Sequence, residues 1–324
     1  MKNDKIALTL GNPNGIGPEI SAGALSGLKV EERSRFIVIG DGPSFRYYFG
    51  PLPRSGISFI EIYPPSGIEY KFNPGSQDAP SGAMSWLFLN KAAELAKNGS
   101  VKAIVTAPIS KDLIVRAGHG EFTDHTTFLA RYFGAEHVSM MFYSKDMKVI
   151  LATIHLSLRS VSDSLTLEAV RTAVKNALLF GERFEGRRYR VAVCGLNPHA
   201  GENSLMGSEE KDVIAPVIRE YHEKGYNGVV GPIPADTAFY RAYRGEFDCV
   251  AAMYHDQGLA PFKLLHFEDG VNVTLGLPVF RTSPDHGTAF DIAGKGKAIS
   301  RSMEEAMGLA LKLADGPSNS LSGL

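Results

Sequence analysis

Short β-rich apolar runs alternate with longer segments of helical periodicity along nearly the whole chain. Lys5–Leu10, Phe36–Gly40, Ala103–Thr106, Val149–Ile154, Arg190–Gly195, Cys249–Tyr254 and Val271–Leu275 read as strands. Between them, the glycine-rich turn Gly11–Gly17 leads into Pro18, a residue suited to a first helical turn because its missing N–H would be unpaired there. Met84–Ala96 is helix-like, Thr166 caps a helix that presents Leu167, Val170, Val174, Ala177 and Leu178, and Glu209–His222 forms another helix. Ser302 with Glu305 makes a capping-box pattern opening a helix with Met303, Met307, Ala310, Leu311 and Ala314 on one face. The polar stretch Gly75–Gly82, punctuated by Pro80, reads as a loop, and the Gly/Ser-rich tail from Gly316 as frayed. Such alternation predicts an α/β chain with mainly parallel sheets and helices on both faces. Ligands then bind beyond the carboxyl ends of the strands.

A chain of 324 residues is long enough for about two domains, and buries enough surface to fold without a disulfide or structural metal. Lys and Arg number 34 against 35 Asp and Glu, a net charge of −1, which argues against a general grip on nucleic acid or anionic lipid. A small basic pocket for one phosphate stays compatible with that balance. Cys194 and Cys249 lie in apolar runs and read as buried thiols of a reducing compartment. No signal peptide and no membrane-spanning run is visible, so a cytoplasmic protein is expected.

Three histidines share one context. His155 follows the strand Val149–Ile154, His199 lies just past Arg190–Gly195, and His255 follows Cys249–Tyr254. Imidazole is the commonest ligand for zinc-like ions, and three such ligands with an open position form a catalytic metal site. The alternative for each is a strand-end histidine satisfied by a hydrogen bond. Lys263, Asn272 and Arg281 could hold an anion, with His125 and Thr126 adding donors; ordinary solvated surface residues are the competing reading. The segment His286–Ala298 (HGTAFDIAGKGKA) has small residues that let a backbone approach a ligand closely. No G-x-G-x-x-G follows a strand, so a Rossmann dinucleotide site is not supported.

Taken together, GIGPE (15–19), TAPISK (106–111), His125-Thr126, GLNPHAGE (195–202), GPIPADTAF (231–239), YHDQG (254–258), GVNVTLGLP (270–278) and the stretch 281–298 resemble the 4-hydroxythreonine-4-phosphate dehydrogenase family of pyridoxal phosphate biosynthesis, in family order from the first strand to about residue 298. HGTAFDIAGKGKA is also similar to the cofactor loop of isocitrate and isopropylmalate dehydrogenases. The resemblance implies two α/β/α domains with mainly parallel sheets and an active-site cleft between them. Residues 1–107 with 272–324 would form an outer domain carrying the NAD loop, and 108–271 a middle domain carrying metal ligands and dimer contacts. It implies a homodimer with shared active sites, in which His155, His199 and His255 bind a divalent metal with ligands from both subunits. His125, Thr126, Lys263, Asn272 and Arg281 would bind substrate, and His286, Gly287, Asp291, Gly294 and Lys295 would bind NAD or NADP.

The implied reaction is oxidation and decarboxylation of a phosphorylated 3-hydroxy acid, with 4-(phosphooxy)-L-threonine going to 3-amino-2-oxopropyl phosphate. One metal ion (zinc, magnesium, manganese or cobalt) would serve both steps as a Lewis acid. Lys111, Asp236 and Asp256 are the candidates for proton transfer by motif position. Asn12, Asn14, Asp124 and Thr127 stand where the family usually has Asp or Glu, Ala, Gly and Glu, respectively. These departures flank substrate-side motifs and keep D-threonate or D-erythronate 4-phosphate, or a carboxylated cyclic diol, as alternative substrates. A metal-dependent hydrolase is the alternative of another class, because three histidines with an activated water also suit hydrolysis.

Overall fold

A computed structural model describes residues 4–50, 52 and 56–316. The chain divides into two compact units, one formed by residues up to 135 with those from 277 onward, the other by residues 136–276.

In the first unit the strands are β1 (Ile6–Thr9), β2 (Phe36–Gly40), β3 (Ser58–Glu61), β4 (Ala103–Thr106) and β11 (Phe280–Pro284). They lie in the order β3-β2-β1-β4-β11, every pair parallel. β1 and β4 are buried along their whole length, as expected of strands covered on both faces. The helices are α1 (Gly17–Ser26), α2 (Val30–Arg33), α3 (Gly42–Phe49), α4 (Ala79–Lys97), α5 (Lys111–Arg116), α6 (His125–Phe133) and α12 (Arg301–Asp315). Four of them start at a side-chain cap: Asp41, Asp78, Ser110 and Asp124 accept from the backbone N–H groups of Ser44, Ser81, Leu113 and Thr127.

The second unit contains β5 (Ser139–Tyr143), β6 (Lys148–Leu151), β7 (Val191–Cys194), β8 (Val229–Ile233), β9 (Cys249–Ala252) and β10 (Val271–Leu275). Their order is β10-β5-β6-β9-β7-β8. β5 runs antiparallel to β10 and β6, and β6, β9, β7 and β8 are mutually parallel. Helices α7 (Leu158–Ser164), α8 (Leu167–Phe180), α9 (Ala215–Glu223), α10 (Ala235–Tyr243) and α11 (His255–His266) complete it. One core cluster joins Phe142, Val149, Leu151, Val250, Leu259 and Phe262, so α11 is seated on the strands that precede its own histidine. The seat depends on Gly258, where a Cβ would lie 2.8 Å from Val149 Cγ1 and 2.9 Å from Leu151 Cδ2.

The α/β class with mainly parallel strands is as the sequence predicts, and Thr166 caps α8 through a 3.1 Å bond from Ala169 N–H. Both cysteines are buried free thiols, their pKa values pushed up to about 12 by burial. No helix among the described residues is long and apolar enough to cross a membrane.

Several expectations are corrected. Gly75–Gly82 is not wholly loop: Asp78 caps α4, whose first turn takes in Pro80. The Ser302–Glu305 capping box does not form. α12 starts at Arg301, and buried Ser302 instead accepts from Asp285 N–H at 3.1 Å, while Ser300 Oγ donates to Glu304. The unit boundaries also differ from 107 and 272. α5 stays with the first unit because Gly82 of α4 lets the Leu113 backbone approach, a Cβ there falling 2.2 Å from Leu113 O. β10 stays with the second because it pairs with β5. The tail beyond Gly316 lies outside the described residues.

Replacing Gly258 with alanine forces α11 away from β6. The expected cost is about 2 kcal/mol, a fall of roughly 4–8 °C in the thermal midpoint. An unchanged midpoint in a melting scan contradicts the packing described.

Candidate active site

The second unit places an imidazole beyond the carboxyl end of each of three neighbouring strands, β6, β9 and β7. His155 and His255 come together, their ring centroids 5.7 Å apart. Asp256 Oδ1 lies 2.7 Å from His255 Nδ1 and Glu202 Oε2 lies 3.1 Å from His199 Nδ1. A carboxylate on one ring nitrogen fixes the imidazole's orientation and turns the other nitrogen toward a ligand, the usual outer support of a metal-binding histidine.

The backbone is unusual at the same places. His155 has φ 48° and His199 φ 52°, and the left-handed run continues through Ala200, Glu202, Asn203 and Ser204. Non-glycine residues avoid this region unless the surroundings enforce it, and such strain gathers at functional sites. Among the described residues of one chain, no three His, Cys, Asp or Glu side chains gather as a complete metal centre. The donor chemistry of His155 and His255 fits a divalent ion of the zinc type, and His199 is not brought into the same group within one chain.

The first unit holds a different constellation. Arg281, on β11, is buried and donates from Nε and Nη2 to Thr106 Oγ1 at 3.0 and 2.9 Å. Burial lowers its pKa to about 10 and the carboxylate of Asp124 opposes that shift, so the guanidinium stays charged at neutral pH. His125 opens α6 directly after the Asp124 cap. Burial, then the charge of Arg281, hold its pKa well below the ordinary histidine value. His125 Nε2 is a buried atom without a hydrogen-bond partner, and buried polar groups are rarely left so without a ligand to meet them. Thr126 beside it is buried. A fixed cation, a neutral imidazole and a hydroxyl suit the capture of an anionic group.

The segment predicted to hold NAD follows β11. Glu19 of α1 pins it, accepting from Gly294 N–H and Ala298 N–H, both at 3.2 Å, and Ile16 N–H donates to Thr288 O. Lys295 Nζ donates to Asp291 O at 2.6 Å and His286 Nδ1 is 3.2 Å from Gly287 O. A Cβ at Gly287 or Gly296 would meet no atom within 4 Å, so the backbone there faces open space that a cofactor can approach.

The remaining predicted residues divide between the units. Lys263 and Asn272 lie on α11 and β10 of the second unit, and His125, Thr126 and Arg281 belong to the first. Lys263 Nζ sits 5.8 Å from the Phe267 ring centroid. Asp236 accepts from Thr237 N–H in the first turn of α10, and exposed Lys111 starts α5. Asn12 and Asn14 turn out to brace loops: Asn12 donates to Ser81, and Asn14 donates to Asp78 and accepts from Asn73 N–H. Sequence reasoning missed Thr106 as the Arg281 anchor and Glu19 as the tether of the NAD segment. Both stand inside quoted motifs, which was the available signal.

The model of the family described as pyridoxal phosphate biosynthetic protein PdxA matches residues 51–310. The chain belongs to this family. A 4-hydroxythreonine-4-phosphate dehydrogenase of Desulfosudis oleivorans is 41% identical over 324 residues, 95% of this chain and 96% of the relative. A D-threonate 4-phosphate dehydrogenase of Salmonella typhimurium is also 41% identical, covering 97% of this chain and 100% of its own length. The solved structure of 4-hydroxythreonine-4-phosphate dehydrogenase from Klebsiella pneumoniae superposes with a TM-score of 0.83 at 39% identity, covering 96% of this chain and 98% of that one. The matched residues include parts of both units.

Because folded His125 resists protonation and an unfolded histidine does not, the unfolded chain binds the extra proton below about pH 6.5. The contribution of His125 to stability is therefore complete above that pH and is lost as pH falls below it, by up to about 1.4 kcal/mol per pH unit. Denaturant titrations at pH 7 and pH 5.5 should show a smaller loss in His125→Asn than in the parent chain. Equal losses contradict the assignment of a neutral imidazole.

Proposed function

We propose that this chain is a nicotinamide-dependent dehydrogenase that oxidises and decarboxylates a phosphorylated four-carbon 3-hydroxy acid. The substrate we favour is 4-(phosphooxy)-L-threonine, converted to 3-amino-2-oxopropyl phosphate in pyridoxal phosphate biosynthesis. The observation that carries the reading is the approach of His155 and His255 beyond adjacent parallel strands in a PdxA-family chain. We take the enzyme to be a cytoplasmic homodimer in which His199 joins those two histidines when subunits share an active site.

When bound, the cofactor would accept hydride, and a divalent metal, zinc by the ligand type, would supply Lewis acidity for both oxidation and carbon dioxide release. The chain's own residues do the rest. Arg281, held rigid by Thr106, and neutral His125 with Thr126 take the anionic end of the substrate, and Lys263 and Asn272 complete its recognition. Binding energy from that remote group orients the reacting carbon. His286, Gly287, Asp291, Gly294 and Lys295 receive NAD or NADP on the segment pinned by Glu19. Asp256 orients His255, and proton transfer falls to one of Lys111, Asp236 and Asp256.

D-threonate 4-phosphate is the second reading, favoured by a relative of equal identity. The hydrolase reading finds no support in family membership. Chelator-treated protein supplied with NAD, a divalent metal and each substrate in turn should form reduced nicotinamide, with one substrate clearly preferred. Arg281→Ala should then raise KM for that substrate about tenfold or more. No reduced nicotinamide with either phosphorylated acid, under any metal tried, rejects the proposal.

A further inference from the structure

Three histidines just beyond strand ends, two of them on left-handed backbone, need something to keep each in place. The segments that bear them are cross-linked by side chains outside the histidine set. Gln257, in the first turn of α11, uses both ends of its amide. Its Oε1 accepts from Met253 N–H at 2.7 Å, just ahead of His255, and its Nε2 donates to Gly195 O at 2.8 Å, where β7 enters the His199 loop. Asn197, two residues before His199, is held on both its backbone and its side chain. Its N–H donates to Glu210 Oε1 at 2.7 Å, and its Nδ2 lies 3.1 Å from Glu210 Oε2 and 2.8 Å from Glu209 Oε2. The other oxygen of Glu209 accepts from the hydroxyl of Ser162, on the helix that follows His155. Glu210 is buried beneath the loop, where a Cβ on Gly201 would stand 2.5 Å from Glu210 Oε2.

We infer that Gln257, Glu209 and Glu210 are positioning residues, a hydrogen-bonded brace that holds the His155, His199 and His255 segments of one chain in fixed relative placement, so that His155 and His255 meet a metal and His199 is presented to the site shared with a partner subunit. Gln257 links the His255 segment to that of His199, and Glu209 links the His199 segment to that of His155. Neither acts on substrate. A carboxylate or amide buried beside a loop holds it in one conformation only while every partner is satisfied, and loss of such outer support typically weakens metal binding 10–100-fold. The inference rests on the three-histidine metal reading proposed above.

The test uses full-length protein and cobalt(II) as probe, with affinity from competition against a chromophoric chelator. The visible spectrum of the cobalt form and the thermal midpoint of the metal-free form complete the readout. Gln257→Leu and Glu209→Ala should each weaken cobalt binding about 10–100-fold and alter its spectrum. Their metal-free midpoints should stay close to that of the parent. Glu209→Gln, which keeps an acceptor for only one of Ser162 and Asn197, should weaken cobalt binding less than Glu209→Ala. Should both disruptive variants bind cobalt with parental affinity and spectrum, the brace is overturned and the metal site stands. A parent chain that takes up no cobalt overturns the metal reading and the brace together. Glu209 is a partly exposed position, so its variants report even if Gln257→Leu does not fold.

Discussion

The approach of His155 to His255 follows from one constraint, the parallel pairing of β6 with β9. Parallel neighbours end at the same edge, so residues just beyond their ends are brought side by side whatever their distance along the chain. β7 pairs with β9 in the same sense and delivers the His199 loop to that edge. Everything else proposed for the second unit elaborates this: the carboxylates on His199 and His255, the left-handed backbone, and the side-chain amide of Gln257 spanning two of the strand ends. The apolar seat of α11 keeps the arrangement in register, with Gly258 allowing close contact with β6.

The first unit solves a different problem, keeping a charge buried among its strands. Arg281 is lodged among strands and anchored on a neutral hydroxyl, and burial makes it a weaker base than a surface arginine. Asp124 offsets part of that penalty while capping α6, and His125 between them is kept neutral.

Much of the fold was legible where apolar runs were clean. β1, β2, β4, β6, β7, β9 and β10 all coincide with predicted strands because their residues are nearly all buried, and a strand covered on both faces reads as a continuous apolar run. β11 was hidden because its three central residues, Arg281, Thr282 and Ser283, are polar though buried, Arg281 and Thr282 bonding to partners that no sequence window contains. β3 is half exposed, and β8 carries Gly231 and Pro232, so neither gives a strong period. At the site, the histidines could be singled out by their positions after strands. The roles of Gln257, Glu209 and Glu210 could not, because they depend on which strand ends become neighbours. Ser302 shows the converse: a local capping pattern lost to a tertiary partner, Asp285.

The central claim is that imidazoles remote along the polypeptide meet at a single cation. X-ray absorption spectroscopy of the zinc-loaded protein addresses it directly. One zinc per chain is expected, with a first shell containing three imidazole nitrogens at about 2.0–2.1 Å and an additional oxygen. A shell of oxygen alone, or one unaltered by substitution of His199, would contradict it.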